Sequence, residues 1–259
     1  MVMVSLFFRM FQKILYFLRT VTVCLCGGTE CAVCGGFSHI MPVCSVCAST
    51  VYSVENILAK RRCSVCGKPL VSEEEKCMEC RDGGVYLHTD TVTPLFEYRL
   101  WNKEILFIWK ILGVRSLSPF FAEKMAYVLR HCSAECIVPV PPRKGKIAQK
   151  GWDQIEELCQ FFEHIYGFTV LRILERNSGT VEQKKLGRQG RLETIGKSFV
   201  LVPENKMKKQ LKKNGGRLPD QVWLIDDILT TGSTAESCAK VLKEGGIKKV
   251  NVMALFTAA

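Results

Sequence analysis

Ten of the fourteen cysteines fall between Cys24 and Cys80, and eight of these form four C-x-x-C doublets: Cys31/Cys34, Cys44/Cys47, Cys63/Cys66 and Cys77/Cys80. No other feature limits the fold as much. The stretch 31–47 is repeated at 63–80. In each, a first doublet is followed by glycine (Gly35, Gly67), then by about ten residues, then by a second doublet. A C-x-x-C-G knuckle turns both sulfurs toward one ion, and its glycine supplies the left-handed backbone of the turn. Two knuckles complete a tetrahedral four-thiolate shell, which is closed and therefore structural. Such a unit has almost no apolar core, so the metal provides much of its folding energy. The pattern predicts a double zinc ribbon over 24–84 with about two Zn²⁺ ions, one per repeat. An iron–sulfur cluster or redox doublets compete with zinc, but a redox doublet needs a strand–helix junction that this region lacks. Disulfides do not suit a chain with so long a cysteine-poor remainder. Sequential pairing joins the first doublet with the second and the third with the fourth; nested pairing joins the outermost and the innermost. The spacing leaves both open. Cys24 and Cys26 are surplus thiols, and Cys132, Cys136, Cys159 and Cys238 stand singly in apolar contexts, as small core residues do.

With 259 residues, 47% hydrophobic and 24% charged, the chain has material for one large domain beside this small one and is not disordered in bulk. Its net charge of +11 favours anionic partners: nucleic acid, phosphorylated metabolites or acidic lipid. Residues 1–23 carry apolar side chains at 7, 8, 11, 14, 15 and 18, a helical spacing. Arg9, Lys13 and Arg19 interrupt them, which argues against a signal peptide and against a membrane span. An amphipathic segment packed on the protein's own core is expected there, in a cytoplasmic protein without transmembrane insertion. Peripheral attachment at the inner face of the membrane is one alternative, and a start codon placed too early is the other.

The strongest functional signal runs from Val222 to Thr234, V-W-L-I-D-D-I-L-T-T-G-S-T. It opens as a buried parallel strand. Two carboxylates, Asp226 and Asp227, emerge at its end. A loop of Thr230, Thr231, Gly232, Ser233 and Thr234 leads into a helix, with Ser233 and Glu236 spaced as a capping box and Gly245-Gly246 as the stop. Ligands of open α/β sheets bind at the carboxyl ends of strands, and a helix start offers N–H groups to a phosphate. The hydroxyls can donate to the same oxygens, while the carboxylates can accept from sugar hydroxyls or reach Mg²⁺. The stretch has no G-K-[ST], so it is not a Walker loop. A second strand, Ile137–Val140, ends in Pro141-Pro142 and a basic loop with Arg143, Lys144, Lys146 and Lys150, followed by Gly151-Trp152-Asp153-Gln154 and a helix to about Tyr166. Strand, basic loop and helix suit a pyrophosphate subsite. Between the cysteines and this core, Leu106 to Leu129 show helical periodicity with Ser118-Pro119 as a helix start. The runs Gly84–Tyr86 and Leu95–Tyr98 look like strands, and Val250–Phe256 reads as the last strand. Lys110 and Arg115 fit either a solvated face or a basic contact above the phosphate site.

The Val222–Thr234 stretch resembles the phosphoribosyl-pyrophosphate (PRPP) signature of type I phosphoribosyltransferases, apolar strand residues followed by D-D and T-T-G-x-T. The resemblance implies that Asp226 and Asp227 contact the ribose hydroxyls, with Mg²⁺ accompanying PRPP, and that Thr230–Thr234 cradle the 5′-phosphate. Cysteine doublets, a V-P-V-P strand, a basic G-[FW]-[ND]-Q helix start and the PRPP motif together resemble the ComF (competence protein F/GntX) family. That covers about residue 31 to the end. A further family stretch, Q-S-x-L-x-R-x-x-R-x-x-N, appears here as Gln183 to Thr194: Gln183, Leu186, Arg188 and Arg191 fit, Lys184 and Thr194 depart, and Trp152-Asp153 replace the usual Phe-Asn.

The resemblance implies an α/β fold, a type I phosphoribosyltransferase-like parallel sheet flanked by helices and preceded by a small zinc-ribbon domain. Residues 85–259 form the larger domain, with a helical hood at 85–136 and a PRPP-binding core at 137–259. It also implies a role in DNA uptake or utilisation, with PRPP or another phosphorylated ribose as ligand and single-stranded DNA and a DNA-uptake helicase as partners. Two functions follow. One is Mg²⁺-dependent phosphoribosyl transfer, with Arg143, Lys144 or Lys146 neutralising the departing pyrophosphate. The other is a catalytically inactive accessory protein that binds single-stranded DNA with the same fold. Residues 139–217 hold 17 basic against 8 acidic residues, including Lys206, Lys208, Lys209, Lys212 and Lys213; Trp152 or Phe199 could stack on bases. The four histidines fit no recognisable spacing.

Overall fold

The computed structural model describes residues 29–38, 41–59, 61–70, 72–81, 86–143, 145, 151–177 and 198–258, together with Ile14, Leu18 and Val21. Those three are helical with exposed side chains, while the rest of the expected segment 1–23 lies outside the described residues. A short antiparallel pair, β1 (Thr29–Glu30) and β2 (Phe37–Ser38), comes first. Helices α1 (Ser45–Thr50) and α2 (Val54–Ala59) follow, then an isolated antiparallel bridge between Arg62 and Pro69, and α3 (Met78–Arg81).

The rest is α/β. Strand β3 (Thr91–Glu97), helices α4 (Trp101–Lys110) and α5 (Leu117–His131), β4 (Cys136–Pro139), α6 (Gln154–His164) and β5 (Thr169–Val170) are succeeded by the hairpin β6 (Leu174–Arg176) and β7 (Phe199–Leu201). Helix α7 (Glu204–Leu211), β8 (Gln221–Leu229), α8 (Ser233–Glu244) and β9 (Lys249–Thr257) complete it. Five strands form one parallel sheet in the order β3-β9-β8-β4-β5.

The interior strands β9, β8 and β4 are nearly continuous apolar runs because both of their faces are covered. Alternation along β8 sends Trp223 and Ile225 into a core with Trp109, Phe120, Phe121, Leu158 and Phe162 from α4, α5 and α6. It sends Val222 and Leu224 into a second core with Ala235, Cys238, Ala239 and Leu242 of α8 and Leu174 and Phe199 of the hairpin. Each large apolar side chain so buried contributes about 1.5–3 kcal/mol. Cys136, Cys159 and Cys238 are core residues as expected, while Cys132 is partly exposed. Among the described residues no helix is long and apolar enough to cross a membrane.

Several local expectations are corrected. Helix α5 begins at Leu117, with Ser116 at its N-cap and Pro119 in its first turn. Ser118 is not a cap: it is fully buried, accepts from Trp109 Nε1 (2.9 Å) and donates to Glu157. The strand expected around Leu95–Tyr98 starts four residues earlier, at Thr91. Of the run Gly84–Tyr86 only Tyr86 is described, and it is not in a strand.

Candidate functional site

The doublets pair sequentially. The sulfurs of Cys31, Cys34, Cys44 and Cys47 lie within 4.8 Å of one another, and so do those of Cys63, Cys66, Cys77 and Cys80. Zn–S bonds of about 2.3 Å in a tetrahedron put sulfurs roughly 3.8 Å apart. Cys34 to Cys44 is 3.8 Å and Cys66 to Cys77 is 3.6 Å. Both groups therefore fit a zinc ion. Backbone N–H groups of Val33 (3.4 Å) and Cys44 (3.3 Å) point at Cys31 Sγ. Against the desolvation of burial, N–H groups of Cys44, Cys34 and Val33 hold the Cys31 thiol down at about 6, the thiolate state a metal ligand needs. Cys63 is held at about 6 in the same way by Cys66, Cys77 and Val65.

Neither unit hangs free. The first enters the main core: Cys31, Val43, Cys47 and Tyr52 pack with Phe96, Phe120 and Phe121. Tyr52 meets Phe96 edge-on at 4.9 Å, and its hydroxyl donates to Asn102 Oδ1 at 2.7 Å. The second unit docks on β3. A Cβ on Gly67 would run into Val92 O and lie 2.5 Å from Pro94 Cδ. Arg62 Nη1 donates to both Gly67 O (2.8 Å) and Pro94 O (2.7 Å).

The second candidate centre lies at the carboxyl ends of β4 and β8. These strands are neighbours, yet their following helices cover opposite faces: α6 one side, α8 the other. A crevice opens at such a switch point. Val140 N makes the last link to Ile225 O (3.0 Å), and β8 continues beyond the end of β4. The carboxylates of Asp226 and Asp227 flank that overhang on opposite faces, as strand alternation requires. Asp227 faces α4, where Lys110 Nζ lies 2.5 Å from its Oδ2. Asp226 faces the other side, toward Cys238 and Arg176. Burial, then the adjacent Asp227 charge, push Asp226 up to about 7 against the relief given by Asp227 N–H (2.8 Å), Lys110 and Arg176.

The loop from Thr230 joins these carboxylates to α8. Gly232 is the N-cap, with a left-handed φ of 74°, so Ser233 is already helical. The expected capping box is therefore absent. Thr231 Oγ1 and Ser233 Oγ are 2.9 Å apart, and Ser237 Oγ donates to Ser233 O (2.7 Å). Thr230 and Thr231 are exposed, Ser233 and Thr234 half-buried, and the first N–H groups of α8 lack helical acceptors by construction. Glu236 instead binds the segment that leaves the second four-cysteine unit. Its Oε1 accepts from Leu87 N (2.8 Å) and His88 N (2.7 Å) and lies 2.6 Å from His88 Nδ1, while its Oε2 accepts from Thr89 Oγ1 (3.0 Å). A Cβ on Gly232 would run into Tyr86 Oη and lie 2.5 Å from Cζ, so the glycine seats this phenol as well as the turn.

Of the basic loop, Arg143 is described and exposed, whereas Lys144 and Lys146 lie outside the described residues, as do Gln183–Thr194. Arg176 was not legible as a site residue. It closes β6, stacks on Phe199 (4.6 Å), donates to Pro141 O (3.0 Å) and acts electrostatically on Asp226. No spacing announces it. Arg115, read as a solvated or phosphate-facing cation, binds Glu157 (2.5 Å). Asp153 caps α6 by accepting from Ile155 N (3.0 Å) and Glu156 N (3.1 Å), which accounts for the G-W-D-Q helix start. Trp152 packs under Arg115 and beside Trp109, and Phe199 is buried under Arg176, so Phe199 offers no face to a base. In the basic run, Lys206 pairs with Glu175 (2.8 Å), Lys208 with Glu204 (2.7 Å) and Lys213 with Glu163 (2.7 Å).

No protein-family model matches the chain. Among curated proteins it is 28% identical to competence protein ComFC of Streptococcus pneumoniae over 217 residues, 82% of this chain and 86% of that protein. It is 24% identical to competence protein F of Haemophilus influenzae over 246 residues, 88% of this chain and 97% of that protein. A parallel α/β sheet preceded by two four-cysteine groups that fit a double zinc ribbon thus belongs to a homologue of the competence proteins ComFC and F.

Proposed function

We propose that the chain binds PRPP, or another ribose 5-phosphate ester, with Mg²⁺ in the β4–β8 crevice, and serves in competence as its homologues' names indicate. One observation carries the ligand reading: the D-D-I-L-T-T-G-S-T stretch spans a strand end, a loop and a helix start at a switch point, with one carboxylate on each lip. The helix start and the hydroxyls of Thr230, Thr231, Ser233 and Thr234 would bind the 5′-phosphate. Asp226 and Asp227 would accept from the ribose hydroxyls. Two hard carboxylate oxygen donors suit Mg²⁺, which keeps most of its waters and would add charge neutralisation at the diphosphate. Arg143, with Lys144 and Lys146 of the same loop, would stabilise the pyrophosphate as the C1–O bond breaks and the acceptor's electron pair forms the new bond to C1. Lys110 pairs with Asp227 at 2.5 Å, and Arg176 favours the ionised state of Asp226.

PRPP titration by calorimetry with Mg²⁺ present tests the binding, and pyrophosphate release with and without single-stranded DNA tests the transfer. Heat of binding and release support a phosphoribosyltransferase. Binding of DNA without any response to millimolar PRPP overturns the reading in favour of an accessory protein that retains the fold.

A further inference from the structure

Each four-cysteine unit is followed by a tyrosine, five residues after Cys47 and six after Cys80. The two do different things. Tyr52 enters the core beneath the helices and bonds Asn102. Tyr86 lies against Gly232, the turn residue of the loop between β8 and α8.

Within the loop, Thr231 Oγ1 accepts from Ser233 N at 3.4 Å and lies 2.9 Å from Ser233 Oγ. The N-cap is a glycine, which offers no side chain to fix the first turn of α8. The segment Tyr86–Thr89 supplies a support from outside the loop. The phenol covers Gly232, and Glu236, in the first turn of α8, grips the next three residues through four polar contacts. The same segment emerges from the second four-cysteine unit, which Arg62 and Gly67 fix to β3. A ribbon with almost no core keeps its shape only while its metal holds it closed.

We propose that Tyr86 is a positioning residue of the phosphate loop, through which metal occupancy of the second four-cysteine unit, and not of the first, sets how tightly that loop holds a phosphate ester. The ligand half rests on the reading above; the structural half does not.

Hydrogen exchange at the amides of residues 230–235 in the zinc-loaded full chain, without ligand, reads the coupling directly. Tyr86→Ala should speed exchange there by about tenfold, with the β9 amides unchanged. Tyr86→Phe keeps the ring on Gly232 and should restore most of the protection. Cys66→Ser should behave as Tyr86→Ala does, and Cys34→Ser as wild type. Wild-type exchange in Tyr86→Ala, or equal acceleration by Cys34→Ser and Cys66→Ser, overturns the coupling. A second arm titrates PRPP with Mg²⁺, where Tyr86→Ala should bind about tenfold more weakly than wild type. If wild type itself binds no PRPP, the ligand half falls, while the exchange data still decide the coupling.

Discussion

Lys110 Nζ and Asp227 Oδ2 meet at 2.5 Å, joining the last residue of α4 to the end of β8. The lysine side chain is 31% exposed and the aspartate side chain 8%, so the pair sits at the rim of the crevice with its acid inside. The lysine also lies where a helix C-terminus favours a cation. Lys110→Met should cost about 1–2 kcal/mol, less than a fully buried pair because water reaches the lysine. It should also raise the Asp226 pKa above about 7, since Lys110 is among the charges that lower it. Urea unfolding and carbon-detected titration of the aspartates check the two effects.

Asp226 sets a pH dependence whose sign follows from the direction of its shift. Its folded value, about 7, lies above its ordinary 3.8, so the protonated acid favours the folded state. That contribution is complete below 3.8 and is lost as pH rises through about 7. The melting temperature of the free protein should therefore fall from pH 5.5 to 8 by more in wild type than in Asp226→Asn. A ribose hydroxyl or a cation prefers the carboxylate, so binding below pH 7 should release a proton. Calorimetry in two buffers of different ionisation enthalpy will show it.

Metal analysis of purified protein should find two zinc ions per chain, one for each sulfur group. Cys34→Ser should retain one, with the second unit intact. The visible absorption of an iron–sulfur cluster would overturn the assignment.

Thr231→Ala and Gly232→Val should both weaken PRPP binding, the first by about tenfold through loss of a hydroxyl near the phosphate. The valine should do more damage. It places a β-branched residue at φ 74°, a strain of roughly 1–2 kcal/mol, and drives its Cβ into Tyr86. The melting temperature separates the two: Gly232→Val should lower it and Thr231→Ala should not.

Glu157 is buried between α5 and α6, accepting from Ser118 and from Arg115 Nε (2.7 Å), while Ser118 accepts from Trp109. Glu157→Ala strands a buried hydroxyl and should cost about 2–3 kcal/mol by urea unfolding. Glu157→Gln should recover part of that loss.

The parallel sheet and the four cysteine doublets were legible because their signals are local: a strand, a loop and a helix in one run, and doublets at ligand spacing; the sequential pairing was not, because the spacing fits nested pairing equally well. Arg176 and Tyr86 were not legible as site residues in this way, and Lys110 was legible only as a cation that fits a solvated face or a contact above the phosphate site. Each reaches the crevice from an element distant in sequence, and lysine, arginine or tyrosine on an amphipathic surface carries no positional mark of its own. The capping box failed for a local reason. S-x-x-E at 233–236 has the right spacing, but Gly232 takes the turn one residue early and releases Glu236 to the ribbon segment. The same limit applies to the lysine run. Its charges were countable, whereas partners such as Glu163 and Glu175 come from other elements.

The docking of Gly67 and Arg62 on β3 has a consequence for the protein when zinc is scarce. β3 is an edge strand: β9 pairs with one side of it, and the carbonyls of Val92 and Pro94 turn outward to the ribbon. Pro94 has no N–H to offer a further strand, but the carbonyl row could still template one. The ribbon is therefore also a cover against aggregation. Chelation should leave the sheet folded but expose a sticky edge, turning loss of a structural ion into loss of solubility.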